Sequence, residues 1–121
     1  MADEIKVTTG LRVVKSAIEV IVSNKTTTLD MTGDAFIRNA QTVGTTHEAL
    51  VTGDLGTAGW ALFKNLDTTN YVEIGVDVAA TFYPVVKLLA GESCVFRLST
   101  LTLYARANTA SVILDSTMVE A

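Results

Sequence analysis

Histidine and cysteine commonly act as nucleophile, base or metal ligand, and each occurs once in the chain, as His47 and Cys94. One histidine excludes multi-histidine metal sites and the usual Ser-His-Asp and Cys-His sets, unless another subunit contributes a partner. One cysteine excludes an intrachain disulfide and a multi-cysteine zinc site. We expect His47 on the polar surface. Cys94 shares a predicted strand face with Phe96 and Leu98, where a small buried hydrophobe is expected.

Carboxylates and amides offer two further chemistries, acid–base catalysis and the binding of hard cations. Glu73 and Asp77 lie four residues apart along a predicted strand, about 13 Å, which exceeds the gap between glycosidase carboxylates and favours a solvated face or salt-bridge partners. Asn65, Asp67 and Asn70 have oxygen ligands of the kind that Ca²⁺ prefers. Their spacing is not that of an EF-hand, and such residues are typical of a turn. The sequence therefore predicts no catalytic residue, no cofactor and no metal site.

The charge distribution argues against nucleic acid and membrane partners. The net charge is −4 and no two of the nine Lys and Arg residues are adjacent, whereas phosphate-binding surfaces need clustered cations. The longest apolar stretch, residues 13–22, is interrupted by Lys15, Ser16 and Glu19 and is too short to span a bilayer. Charged residues make up 18% of the chain and the mean hydropathy is +0.38, which indicates a folded chain.

Strand patterns dominate the chain, and Thr, Val and Ile occupy 39 of its 121 positions. Residues 71–78 place their Val and Ile side chains on one face, as a half-buried strand does. Residues 60–66 predict a second strand, joined to 71–78 as an antiparallel hairpin by turn formers at 67–70. Pro84 places its own strand at a sheet edge or at a bulge. The further strands expected in the C-terminal half are residues 81–88, 93–99, 101–107 and 111–118.

The N-terminal half is more ambiguous. Residues 11–22 fit either a helical stripe or a strand, and the strand is favoured because Val and Ile lose side-chain freedom in a helix. Residues 26–32 and 35–43 predict two more strands. Residues 1–9 alternate Ile5 and Val7 with polar side chains and form a possible N-terminal arm for strand addition to a neighbour.

Seven of the eight aromatic residues lie between Trp60 and Tyr104, so the main core is expected in the C-terminal half. Residues 82–89 are apolar on both faces, and such a run either packs inside the fold or meets a partner. The candidate interface residues are Ile5, Val7, Tyr83, Pro84, Val85, Leu88 and Leu89. The expected architecture is a single all-β domain over residues 1–121, an antiparallel β-sandwich of jelly-roll type with about eight to ten short strands.

Six stretches of the C-terminal half stand out as a set: 59–67 (GWALFKNLD), 70–77 (NYVEIGVD), 81–84 (TFYP), 87–92 (KLLAGE), 96–98 (FRL) and 103–110 (LYARANTA). With these stretches the chain resembles small structural proteins of tailed bacteriophages. The similarity extends from residue 53 to residue 119, about half the chain. The resemblance implies a compact β-sandwich or jelly roll that decorates or cements a capsid, or forms part of a tail, and it assigns no catalytic residue.

These expectations combine in a non-enzymatic virion protein. The leading hypothesis is a homo-oligomer, with a trimer favoured, that is made in the bacterial host cytoplasm and binds the major capsid protein on the capsid exterior. The low charge agrees with a surface covered by neighbouring subunits. Two alternatives remain open, a tail or fibre component and a carbohydrate-binding adsorption module that stacks sugars on Trp60 or Tyr83.

Overall fold

The computed structural model describes residues 4–121, and the side chains of all of these except 23 and 24. Within this range the strands are β1 (Ile5–Lys15), β2 (Ile18–Leu29), β3 (Phe36–Val43), β4 (Glu48–Ala49), β5 (Trp60–Asn65), β6 (Val72–Val78), β7 (Thr81–Leu88), β8 (Ser93–Arg97), β9 (Tyr104–Ala107) and β10 (Val112–Val119). The fold is all-β, as predicted, and residues 11–22 form strands rather than a helix.

Eight of the strands in the described range form two four-stranded antiparallel sheets. The first sheet has the order β3-β10-β5-β8, and the second sheet has the order β4-β9-β6-β7. The pairs β3/β10, β4/β9, β5/β8 and β6/β7 are nested along the chain, so that each pair encloses the next. As a result β10 lies inside the first sheet, between β3 and β5.

One apolar core joins the two sheets. Phe63 of β5 and Leu114 of β10 are fully buried from the first sheet, and Val72 and Ile74 of β6 are buried from the second. Alternation along each strand turns every second side chain inward. The two sheets thus pack as a sandwich, and most of its core comes from the C-terminal half, as the aromatic residues indicated.

The predicted hairpin between residues 60–66 and 71–78 is wrong, because the two strands lie in different sheets. The turn residues between them serve instead in a crossing from the first sheet to the second. Buried Asn65 donates from Nδ2 to the carbonyl oxygens of Asn70 at 2.9 Å and Leu88 at 3.1 Å, and its Oδ1 accepts the amide of Asp67 at 3.0 Å. One side chain therefore fastens the crossing to the end of β7.

The hairpin partner of β6 is β7, through a two-residue turn. Ala79 and Ala80 have φ of 52° and 68°, the positive values that a type I′ turn requires. The Ala80 amide donates to Asp77 Oδ1 at 3.0 Å. β7 is an edge strand, and its register with β6 shifts beside the pair of Pro84 and Gly75. Both forms of the prediction for Pro84, an edge strand and a bulge, are confirmed.

β1 and β2 form a separate two-stranded hairpin. The chain reverses at Ser16 and Ala17, where Ser16 has φ of 54°. Residues 11–22 are therefore parts of two strands and not a single strand. The turn was missed because Ser-Ala is not among the Gly, Asn and Asp pairs that favour tight hairpins.

Glu120, just after β10, fastens two loops to the first sheet. Its Oε1 accepts the amide of Ala35 at 3.2 Å, and its Oε2 accepts the amides of Gly56 at 2.7 Å and Thr57 at 3.2 Å. These hydrogen bonds, with that from Gly56 the strongest, hold the pKa of the Glu120 carboxyl below its ordinary value. The glycine-rich loop between β4 and β5 is thereby anchored.

Candidate functional site

The base of the β1–β2 hairpin packs on the outer face of the first sheet. Ile5 and Val7 are buried there. Together with Trp60, Leu62 and Val119 they border a cavity of about 150 Å³. Because Leu62 and Val119 alternate with core residues of β5 and β10, this contact lies on the side of the sheet away from the core.

Residues 5–9 are therefore not the free arm that the sequence predicted. They pair with β2, from Ile5 opposite Leu29 to Thr9 opposite Lys25, and their apolar side chains are used within the molecule. Residues 1–3 of the predicted arm lie outside the described residues. Residues 8–10 face Ser93 and Val95 of β8, the edge strand of the first sheet, across an open groove of about 450 Å³, so the hairpin leaves the sheet at that edge.

Beyond the β8 edge the hairpin is exposed, and we call residues 11–22 the ribbon. Leu11 pairs with Val22 and Val13 with Val20, and residues directly opposite in antiparallel strands lie on the same side. The apolar face of the ribbon consists of Leu11, Val13, Ile18, Val20 and Val22, with the charged side chain of Lys15 at the turn end, opposite Ile18. Leu11 and Ile18 are 63% and 66% exposed. The opposite face mixes charge with aliphatic residues and consists of Arg12, Val14, Glu19 and Ile21.

The apolar face of the ribbon continues the side of β1 that is buried at the hairpin base. Thr9 pairs with Lys25 and Leu11 with Val22, so one residue of β1 stands opposite two of β2. The extra residue of this bulge is in β2, which leaves the alternation of β1 uninterrupted. Ile5, Val7 and Leu11 therefore point to the same side of β1. That side is covered by the first sheet at one end and exposed at the other.

The hairpin and the rest of the chain have formal charges of opposite sign. Residues 5–29 contain four basic residues and one acidic residue, a charge of +3, whereas the whole chain has −4. The remaining residues therefore have −7. Within the ribbon, Arg12 and Lys15 outnumber Glu19.

A second apolar surface lies along β7, at the edge of the second sheet. Tyr83, Pro84, Val85 and Leu89 are exposed, Val85 by 78%. Among the described strands β7 pairs only with β6, so its outer backbone edge is open. Leu88 was predicted as an interface residue, but it is buried in the core because the alternation of β7 turns it inward.

A notch opens beside this edge. It has a volume of about 100 Å³, and its apolar lining includes Ile74, Val76, Val85, Val86, Phe96 and Leu103. We call it the edge notch. It lies where the register of β6 and β7 shifts at Gly75. Space of this size holds a branched aliphatic side chain, and an apolar lining favours such a side chain over water.

The outer face of the second sheet has a cluster of aromatic and charged side chains. His47 Nε2 lies 2.6 Å from Asp77 Oδ2, and its ring stacks on Phe82 with centroids 5.4 Å apart. Arg106 donates to Glu73 Oε1 at 2.8 Å and lies over the Phe82 ring. His47 lies on the outer face of the second sheet, in agreement with the predicted surface position, but its ring is partly buried and paired with Asp77. The prediction that Glu73 forms a salt bridge is confirmed by its contact with Arg106.

The remaining candidate residues for chemistry have structural surroundings. Burial raises the pKa of the Cys94 thiol, which disfavours the reactive thiolate. Asp67 Oδ2 accepts the amides of Thr69 at 3.0 Å and Asn70 at 2.6 Å, as in the predicted turn. Residues 4–121 contain no group of three or more His, Cys, Asp or Glu side chains placed to hold a metal ion.

The two aromatic residues considered for sugar stacking have different surroundings. Trp60 is half-buried and borders the cavity beneath Ile5 and Val7. Tyr83 is half exposed on the β7 edge. Tyr83 is therefore the more exposed of the two rings.

Sequence reasoning missed the apolar face of the ribbon. The available signal was a symmetric pattern around the turn. Leu11 and Val13 before the turn are separated by one residue, and so are Val20 and Val22 after it. The two halves align only if the chain reverses between them. Read as one strand, the same residues alternate poorly.

Function has to be inferred from these surfaces. Across residues 4–121, no helix has the length and apolar character needed to cross a membrane. Comparisons of the chain with models of protein families, with curated proteins and with solved structures gave no match.

Proposed function

We propose that the protein is a non-enzymatic structural component of a tailed-bacteriophage virion, which binds the major capsid protein on the capsid exterior and cements adjacent subunits. The oligomer in this proposal is a homotrimer. The similarity of residues 53–119 to small virion proteins suggests the class. The observation that supports an assembling structural role is the exposed apolar face of the ribbon, because soluble monomers rarely leave a contiguous apolar surface in water without a partner.

The proposal includes a jelly-roll fold for the sandwich. The four nested pairs β3/β10, β4/β9, β5/β8 and β6/β7, divided between two four-stranded sheets, support this assignment. Such folds hold two Greek keys in eight strands. A sandwich of this type leaves edge strands available for contacts with neighbours.

Cementing in this proposal requires binding energy and no reaction. A protein that binds assembled subunits, and not separated ones, stabilises the assembled state by mass action. Burial of apolar surface contributes about 25 cal/mol per Å². The ribbon and the β7 edge supply such surface for joining copies of this chain, and in this proposal the resulting oligomer spans the boundary between capsid subunits.

Virions that lack the protein provide the main test. We expect them to lose integrity at lower temperature and at milder osmotic shock than complete virions, and to recover when purified protein is added back. Release of the packaged DNA into solution is the measurement. If deficient and complete virions withstand both treatments equally, the cementing role is wrong.

The position of the protein on the virion distinguishes the proposed capsid role from a tail or fibre role. Gold-labelled protein added to deficient virions should decorate the head uniformly. Label confined to the tail would replace the capsid partner by a tail partner, while the structural class would stand.

A further inference from the structure

We propose that the ribbon of one copy docks by its apolar face on the β7 edge of a second copy of this chain, with an aliphatic side chain of the ribbon in the edge notch. The inference rests on the homo-oligomer in the proposed function and deepens it by naming the contact. It makes no use of the capsid, so the two can fail separately.

The first argument is the continuity of the apolar side of β1. Ile5 and Val7 on this side are buried against the molecule's own first sheet, and Leu11 and Val13 on the same side are exposed. A two-stranded hairpin by itself is marginally stable in water. The ribbon thus has the apolar side chains of a buried strand, but no described part of its own chain buries them.

The second argument is charge, which favours another copy over an unrelated acidic partner. The hairpin has a formal charge of +3, of which the ribbon contributes +1, and the rest of the same chain has −7. A second copy therefore presents an acidic body to a basic hairpin, and such complementarity steers association and disfavours contacts between two hairpins.

The third argument is the receiving surface. The β7 edge offers an open strand, the exposed side chains of Tyr83 and Val85, and an apolar notch of about 100 Å³. The ribbon and the β7 edge are different surfaces of one chain. A contact between them is heterologous and closes into a ring when the rotation between copies permits, which agrees with the trimer in the proposed function.

A pair of matched double variants tests which face of the ribbon docks. Val13→Thr/Val20→Thr alters the apolar face, where these residues are 46% and 49% exposed. Val14→Thr/Ile21→Thr alters the opposite face, where they are 53% and 54% exposed. Threonine keeps the β-branched shape and the strand propensity in both. Because the substituted side chains are exposed, both variants should fold, which the circular dichroism spectrum and the melting temperature check.

Sedimentation equilibrium of the two variants and the unaltered protein is the readout. We expect the apolar-face variant to raise the dissociation constant of the oligomer roughly tenfold or more, because burying a hydroxyl without a partner is costly. The opposite-face variant should change it by less than about threefold. A monomeric unaltered protein at millimolar concentration, or equal effects of both variants, overturns the proposal.

Cross-linking identifies the receiving surface. In a Cys94→Ser background, one preparation has Val20→Cys and another has Val85→Cys, and a short bis-maleimide is added to each alone and to their mixture. A cross-linked dimer is expected in the mixture only. Dimers from Val20→Cys alone would indicate contact between two ribbons, and dimers in no sample would remove the contact at β7, so either result overturns the proposal.

Co-sedimentation with capsids stripped of the protein separates this inference from the proposed function. A protein that forms the ribbon-to-edge oligomer but does not bind capsids leaves the inference standing and contradicts the proposed function. A protein that binds capsids as a monomer contradicts the inference and leaves the binding to capsids standing.

Discussion

The sandwich and the ribbon are built from the same kinds of strand residue, and they place them in opposite surroundings. Val43, Val72 and Val112 of the sandwich are almost completely buried, whereas Val13 and Val20 of the ribbon are about half exposed. The difference is that each sheet of the sandwich is covered by the other sheet, whereas no part of the described chain covers the ribbon. Aliphatic strand residues thus form a core in one region and a candidate contact surface in the other.

The largest effect is expected where the sandwich is most tightly closed. Phe63→Ala removes a fully buried ring from the core between the sheets, so the free energy of unfolding should fall by about 3–5 kcal/mol. Leu62→Ala, one residue away on the outer face, should cost about 1 kcal/mol. Urea denaturation measures both, and equal losses would mean that the core does not lie where the burial pattern places it.

A smaller loss is expected at the crossing between the sheets. Asn65→Ala leaves the carbonyl oxygens of Asn70 and Leu88 without the amide that now satisfies them, which should cost about 1–3 kcal/mol. Thr68→Ala, an exposed position in the same crossing, should stay within about 0.5 kcal/mol. A neutral Asn65→Ala would show that the crossing is held by other contacts.

The pH dependence of stability should trace in part to Glu120. Its pKa is lowered in the folded protein, so the ionised carboxyl stabilises the fold above its ordinary pKa, and this stabilisation is lost as the pH falls through the lowered value. Glu120→Gln should lower the melting temperature at pH 7 and make it fall less steeply as the pH drops below the ordinary pKa of a glutamate. Glu19→Gln, on the exposed ribbon, is the control and should change neither, whereas an unchanged acid profile in Glu120→Gln would contradict the assignment.

The smallest effect on stability is expected from loss of the ribbon itself. Replacing residues 11–22 by an Asn-Gly turn keeps the base of the hairpin, with Ile5 and Val7 still on the first sheet. The free energy of unfolding of the monomer should change by less than about 0.5 kcal/mol. A loss of unfolding free energy as large as that of Phe63→Ala would show that the ribbon contributes to the domain core, and the difference between the two regions would not hold.

The elements of the sandwich were readable from the sequence because period-two alternation is a local property of the chain. Residues 72–78 alternate strictly, and Pro84 marks the edge strand because proline lacks the amide that a central strand needs. The pairing of strands, in contrast, is not a local property of the chain. Residues 60–66 and 72–78 are neighbours in sequence, yet nested pairing sends them to different sheets, and the turn residues between them fit a crossing as well as a hairpin.

The candidate site was less predictable than the fold. Tyr83, Pro84, Val85 and Leu89 were identified as apolar surface from their run of side chains, while Leu88 in the same run is buried. Prediction of the ribbon required a turn at Ser16. Ser16 has a positive φ, although it is neither Gly nor Asn, the residues that most readily adopt this conformation. His47 looked polar by its neighbours, and only the sheet brings Asp77 and Phe82 to its ring.

The position of β10 determines when the first sheet can form during synthesis. β3 and β5 pair on either side of β10, which follows both of them in the chain, so they have no shared neighbour until β10 leaves the ribosome. The inner pair β6/β7 closes over two residues, whereas the outermost pair brings Phe36 to Val119, and loop closure becomes costlier with length. We therefore expect folding to proceed from the inner pair outward. The apolar hairpin leaves the ribosome before the sheet on which its base packs can be completed.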